Sequence, residues 1–171
     1  MKIKYNKFVK DLFPYIVLFL SSFAVVYFFS LGNGPLSYIS DYVFVDDGIF
    51  RHIGMEWAKG HVPYVEAFDH KGPFIFFINL VAYLINPIWG IGLLEIVSLF
   101  VSLIFGYKML KENGISRIAS IILTVIIVFF FAGLGWNFGN TCSEFVLPFI
   151  SAGAYCFSKY KSNEISKHPP K

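Results

Sequence analysis

The chain has 171 residues, of which 56% are hydrophobic, 20% aromatic and only 15% charged, against about 25% charged in a soluble domain. Its net charge of +3 does not point to nucleic acid, because the basic residues gather at the ends of apolar runs. Those runs approach the length of a membrane crossing, so the composition argues against a water-soluble domain and predicts an integral membrane protein.

Residues 1–11 carry Lys2, Lys4, Lys7 and Lys10, a cytoplasmic flank under the positive-inside rule. Residues 12–31 hold no charge and are long enough to cross, with Pro14 expected in the first turn, where its missing N–H is harmless. The run is too long for a cleavable signal peptide, and no small-residue cleavage site follows it. Gly32, Asn33, Gly34 and Pro35 break the helix. Over 47–59 the apolar residues Ile49, Phe50, Ile53 and Trp57 recur at helical spacing, Asp46 or Asp47 is placed to cap the helix, and Gly60 to end it. This helix is too short to span and is expected to lie on the membrane. A polar connection, residues 61–73, leads to the short apolar run 74–85, closed by Asn86-Pro87. Residues 91–110, 118–135 and 141–158 read as further spans, and 161–171 as a polar cytoplasmic tail without a fold of its own. Cys142 and Cys156, about 21 Å apart on one helix at ~1.5 Å per residue, cannot pair and read as small buried apolar residues.

Positive charge sets the expected topology. If 74–85 is a buried or interfacial helix, four spans place every basic residue except Arg51, Lys59 and Lys71 on the cytoplasmic side. If it crosses, Lys108, Lys111, Arg117 and the tail lysines fall outside. The first arrangement is favoured. The fold class is therefore all-α: a polytopic membrane protein with four transmembrane helices, both termini inside, and a large outer loop (32–90) carrying two short juxtamembrane helices.

Chemistry concentrates between Asp46 and Pro73, where five acids, Arg51, Lys59, Lys71, His52, His61 and His70 interrupt an otherwise oily chain. Asp46 and Asp47 fit either a general base beside the membrane or acids in a first helical turn. Lys71, just before an apolar helix, fits either a phosphate partner or a snorkelling lysine paired with Asp69. Asp69 and His70 could ligate a divalent metal, but two ligands do not close a site. Glu144, an ionisable residue at a span end, is a functional candidate or a dipole partner; Glu95 has the weaker case of the two. Tyr64, Trp57 and Trp136 fit a sugar-stacking role or an interfacial aromatic belt.

The order Asp46…Phe50…Gly54…Gly60…Pro63-Tyr64…Phe68-Asp69-His70-Lys71-Gly72-Pro73, with Asn140…Glu144…Leu147-Pro148 further on, resembles GT-C membrane glycosyltransferases of the protein O-mannosyltransferase and aminoarabinose transferase type. The resemblance implies transfer of a sugar from a polyprenyl-phosphate donor to an acceptor outside the membrane. Asp46, Asp47 and Glu144 would be the catalytic acids and Lys71 the donor-phosphate ligand. Asp69, His70 and Tyr64 would support them, with His70 beside any divalent metal ion. Members of that family are much longer, so the chain would be an N-terminal portion, or would need a second chain supplying further spans. The rival reading is a non-catalytic membrane subunit or scaffold partnering a larger membrane protein, in which the loop acids are structural. A small transporter is the weakest reading, since no ionisable residue lies at mid-span.

Overall fold

The computed structural model describes residues 2–30, 45–66, 69–135 and 139–167. Among these residues lie six α-helices and no strand: α1 (Lys2–Phe29), α2 (Val45–Ala58), α3 (Pro73–Ile85), α4 (Gly90–Glu112), α5 (Arg117–Gly135) and α6 (Cys142–Lys167). Local chemistry explains most of the boundaries. Gly60, at φ +97°, turns the chain after α2. Pro73 opens α3, where its missing N–H costs nothing. Asn86 ends α3, its backbone N–H donating to the Ala82 carbonyl, and its Oδ1 accepts the N–H groups of Ile88 and Trp89 in the turn that precedes α4. Gly114, at φ +80°, closes α4, and the Ser116 hydroxyl accepts the Ala119 N–H at the start of α5.

Helix α4 is the hub, in contact with α1, α3, α5 and α6. Tyr15 faces Tyr107 while Ser30 meets Glu95, so α1 runs antiparallel to α4. Asp11 meets Arg117 and Phe29 meets Phe129, so α5 runs parallel to α1. Ser98 bonds to Glu144 and Asn113 to Ser158, so α6 runs parallel to α4. Two apolar cores result. One joins Leu18, Val25 and Val26 of α1 to Leu99, Leu103 and Tyr107 of α4 and Ile121 and Val128 of α5. The other joins Phe50 and Ile53 of α2, Ile75, Phe76 and Ala82 of α3, Ile91 of α4 and Phe145 of α6.

Several expectations are corrected. Helix α1 begins at Lys2, so Pro14 lies inside it and not in its first turn; no glycine or second proline interrupts the lysine-bearing flank. Helix α6 likewise continues to Lys167 through most of the segment expected to be an unfolded tail, because no proline or glycine follows Gly153 before that point. Asp46 and Asp47 stand in the first turn of a helix that starts at Val45, and so do not cap it. The apolar face of α2 meets α3. The approach is close enough that a Cβ on Gly54 would stand 2.5 Å from the Asn79 carbonyl carbon. Gly90 crosses Ala82 just as tightly, and an added Cβ would overlap the Ala82 carbonyl. Both cysteines are free, as their separation requires, but Cys156 is exposed and Cys142 only half-buried. Among the described residues two helices, over Lys10–Phe29 and Gly90–Glu112, are long and apolar enough to cross a membrane, not four. The apolar stretch of α5, Arg117–Phe131, is shorter, and α6 is diluted by Ser143, Glu144, Ser151, Ser158, Lys159 and Lys161.

Candidate functional site

At the end of the bundle where α4 and α6 begin, five segments send polar side chains into one buried layer. Asn140 is its centre. It follows Gly139 (φ +94°) and itself adopts φ +53°, a left-handed turn that asparagine tolerates better than most residues and that aims its amide inward, fully buried. Asn140 Nδ2 donates to Asp47 Oδ1 at 2.7 Å and to Asn79 Oδ1 at 3.0 Å. Asn79 Nδ2 returns a bond to Asn140 Oδ1 at 3.0 Å and donates to the Ile75 carbonyl at 2.9 Å. The two amides thus form a reciprocal pair. The Asn140 backbone N–H donates to Glu95 Oε1 at 2.6 Å, and the Ser30 hydroxyl to Glu95 Oε2 at 2.9 Å. Arg51 Nε reaches both oxygens of Asp47 at 2.9 and 3.0 Å from one turn away. On the neighbouring strand of chain, the Thr141 N–H donates to Glu144 Oε2 at 3.1 Å, while Ser98 Oγ donates to the Glu144 carbonyl at 2.7 Å. Pro148 stands four residues beyond Glu144 inside α6 and has no N–H to offer that carbonyl, so α4 supplies the donor that α6 lacks.

The sequence candidates divide between this layer and the surface. Asp47 and Glu144 are brought together in the layer, both buried. Asp46, one residue from Asp47, is exposed. Lys71, Asp69, His70 and Tyr64 form a separate hairpin. There the Lys71 N–H donates to Asp69 Oδ1 at 2.9 Å, the Tyr64 hydroxyl donates to the Lys71 carbonyl at 2.6 Å, and His70 Nδ1 lies 3.5 Å from Asp69 Oδ1. The charges of Lys71, Asp46 and Asp69 all act on the Cys142 thiol, which puts the hairpin and the buried layer at the same end of the bundle. The Tyr64 ring leans on Phe76 and Trp57 on Phe77, at 5.4 and 6.2 Å between centroids; Trp136 lies outside the described residues. A second surface cluster has Glu56 accepting from Lys59 Nζ and contacting His61 Nδ1, both at 2.7 Å. The Lys59 ammonium holds the Glu56 carboxyl below its usual value.

Sequence reasoning ranked Glu95 below Glu144 and missed Asn79. Glu95 is 0% exposed. A lone amide in the apolar run 74–85 was the available signal for Asn79, since a polar group in such a helix demands a buried partner.

This arrangement fastens helices together, and nearly all of its buried side-chain polar atoms are bonded. Asp47 Oδ1 accepts from Arg51 and Asn140, and the residue is 6% exposed. The exception is Glu144 Oε1, buried and without a hydrogen-bond partner among the described residues. Asp69 and His70 stand as a pair, and among the described residues no three His, Cys, Asp or Glu side chains converge as ligands.

Comparison with protein families matches residues 50–168 to the family described as "Putative competence-induced protein Ccs4 N-terminal domain". The match covers more than half of the chain, from the first turns of α2 through α6. No curated protein matches, and no solved structure matches. The resemblance to GT-C glycosyltransferases is thereby corrected, since the family found is a different one. Of the motif pieces that carried it, Asp46 falls outside the matched region and the rest, from Phe50 to Pro148, fall inside it. Gly54 has a packing reason and Asn140 a hydrogen-bonding one.

Proposed function

The chain belongs to that Ccs4 N-terminal domain family, and on this premise we propose that it is a non-catalytic membrane module that partners a larger membrane protein. The observation that carries the reading is the use of the acids: Asp47 and Glu95 each bond to groups from other chain segments, as fasteners do. Sugar transfer rested on the corrected resemblance and is not carried forward.

Membrane embedding is supported by the outer faces. Ile118, Ile122, Ile126 and Phe130 form an exposed stripe on α5, and Leu12, Phe13, Ile16, Phe19, Leu20 and Phe23 an exposed face on α1, a larger apolar surface than water-facing proteins present. Polar contacts bound the apolar zone at both ends. From Glu95 in the upper layer to Asn113, where Asn113 meets Ser158 and Asp11 meets Arg117, α4 rises about 27 Å at 1.5 Å per residue, close to the hydrocarbon thickness of a bilayer. In this proposal α5 and α6 cross beside α1 and α4, with both lysine-bearing termini inside. The family description names an N-terminal domain, which suits a module that works with further polypeptide, and competence induction, which suits a membrane protein made in that state.

The test is Asp47→Asn in the detergent-purified chain. A fastener predicts a loss of about 1–3 kcal/mol, less than the ~3–5 kcal/mol of a fully buried broken pair because Arg51 is partly exposed. Native stability in a correctly inserted variant would overturn the structural role. Resistance of the wild-type chain to carbonate extraction checks the embedding, and release into the supernatant would refute it.

A further inference from the structure

Lys108 of α4 and Lys159 of α6 share one seam between the two helices. The Phe105 and Tyr155 rings meet across it, with centroids 5.8 Å apart. Lys108 Nζ lies 6.0 Å from the Phe105 centroid, and Lys159 Nζ 6.0 Å from the Tyr155 centroid. Among the described residues neither ammonium meets a carboxylate. The α4 face that carries Lys108 turns outward: Leu93 and Val97, both about half exposed, stand on it in four-residue steps with Val101 and Phe105.

Depth separates these lysines from ordinary end-of-helix charges. The contacts of Asn113 with Ser158 and of Asp11 with Arg117 mark the inner edge of the apolar zone. Lys159 follows Ser158 directly. Lys108 stands before Asn113 on α4, about 7.5 Å on the apolar side at 1.5 Å per residue. Helical side chains lean towards the N-terminus, which in α4 and α6 points into the apolar zone. Both ammoniums lie back in that direction, over rings one turn earlier. That carries them away from the water at the inner end of the bundle, where a soluble acid or a free phosphate would arrive. A lipid phosphate lies at that depth beside the outward face.

The surrounding charge selects the head. Segments 2–11, 108–117 and 159–167 carry ten lysines and arginines against three acids, Asp11, Glu112 and Glu164, and Asp11 is taken by Arg117. A zwitterionic head would bring a cation of its own into this excess, and an anionic head brings none. Given the membrane embedding of the bundle, on which this rests, we propose that the seam is a site for the phosphodiester of an anionic phospholipid in the inner leaflet. The ammoniums of Lys108 and Lys159 attract the phosphate, and the acyl chains lie along Leu93 and Val97.

The experiment reconstitutes the full chain in phosphatidylcholine vesicles with trace spin-labelled phosphatidylglycerol or phosphatidylcholine. Electron paramagnetic resonance reads the fraction of label held at the protein. Wild type should hold phosphatidylglycerol about fivefold or more over phosphatidylcholine. Lys108→Gln with Lys159→Gln should bring that ratio close to one. Lys111→Gln with Lys161→Gln removes the same charge from the same two helices and should leave most of the preference. Inorganic phosphate should displace the lipid no more than chloride of equal ionic strength does. Equal holding of the two lipids by wild type, an equal loss in both double variants, or specific displacement by phosphate would overturn the site and leave the embedding standing. A chain that holds neither lipid and separates from the vesicles would overturn the embedding, and the site with it. Circular dichroism checks each variant; should Lys108→Gln with Lys159→Gln not fold, the wild-type ratio decides.

Discussion

Replacing Ser98 by alanine tests the packing of α6 on α4 at one atom. Pro148 deprives the Glu144 carbonyl of its helical donor, and the Ser98 hydroxyl replaces it at 2.7 Å from a side chain that is 8% exposed. Ser98→Ala removes few atoms but leaves a buried carbonyl unpaired, which costs about 1–3 kcal/mol. In a Pro148→Ala background the backbone N–H of residue 148 becomes available to that carbonyl, so the same Ser98→Ala change should cost much less. The double-mutant cycle therefore predicts a coupling of about 1–2 kcal/mol between two residues on different helices. Denaturant titration in mixed micelles, followed by far-UV circular dichroism, reads all four corners. An equal cost of Ser98→Ala in both backgrounds would refute the argument, because it would mean that the hydroxyl does not stand in for the missing N–H.

Other outcomes follow from the same contacts. Gly54→Ala should lower stability by about 1–3 kcal/mol, since its Cβ would press on the Asn79 backbone and neither helix can yield cheaply; an unchanged unfolding midpoint would show that α2 and α3 are not in tight contact. Asn140→Gly keeps the left-handed turn but loses the amide pair, and Asn140→Ala should cost about 1 kcal/mol more through backbone strain alone. Equal midpoints for the two would contradict the strained φ of +53°. The Glu56 carboxyl is held below its ordinary value of 4.5 by Lys59. Its contribution is therefore present in full above that value and fades as acid carries the solution down through the folded value. The stability gap between wild type and Glu56→Gln should accordingly be small at pH 7, since the pair is exposed, begin to shrink below pH 4.5 and vanish only below the lowered folded value; a gap that grows in acid would reverse the sign.

The helices were legible because their signals are local. Ile49, Phe50, Ile53 and Trp57 mark one face of α2, and Phe50 and Ile53 are indeed buried with Ile49 and Trp57 at the margin. Gly60, Pro73 and Asn86 punctuate the chain where the structure turns. Lys71 and Glu144 were visible as isolated charges, but their surroundings were not. What the pattern hid is pairing over long separations. Asp47 meets Asn140 across 93 residues, Asn79 meets it across 61, and Ser30 meets Glu95 across 65. No window short enough to show helical period contains both members of such a pair, so Glu95 looked like a minor terminal acid and Asn79 like a blemish in an apolar run. Pro14 and the flank around it misled for the opposite reason: the local rule was sound, but the helix started earlier than the hydrophobic run.

The polar layer also has an order in time. Chains emerge from the ribosome N-terminus first, so Ser30, Asp47, Asn79 and Glu95 are all made before the residue that ties them together. Until Asn140 arrives, Glu95 lacks the N–H donor on one oxygen, Asn79 lacks its amide partner and Asp47 lacks its second donor. A buried carboxylate or amide short of one of its bonds is expensive, so a bundle that stops short of Asn140 is less stable than a finished one, even with Ser30 on Glu95 and Arg51 on Asp47 in place. Closing that layer with Asn140 is therefore the last step that the three inner helices wait for, and the bundle gains its full set of buried bonds only when the chain is made to that point.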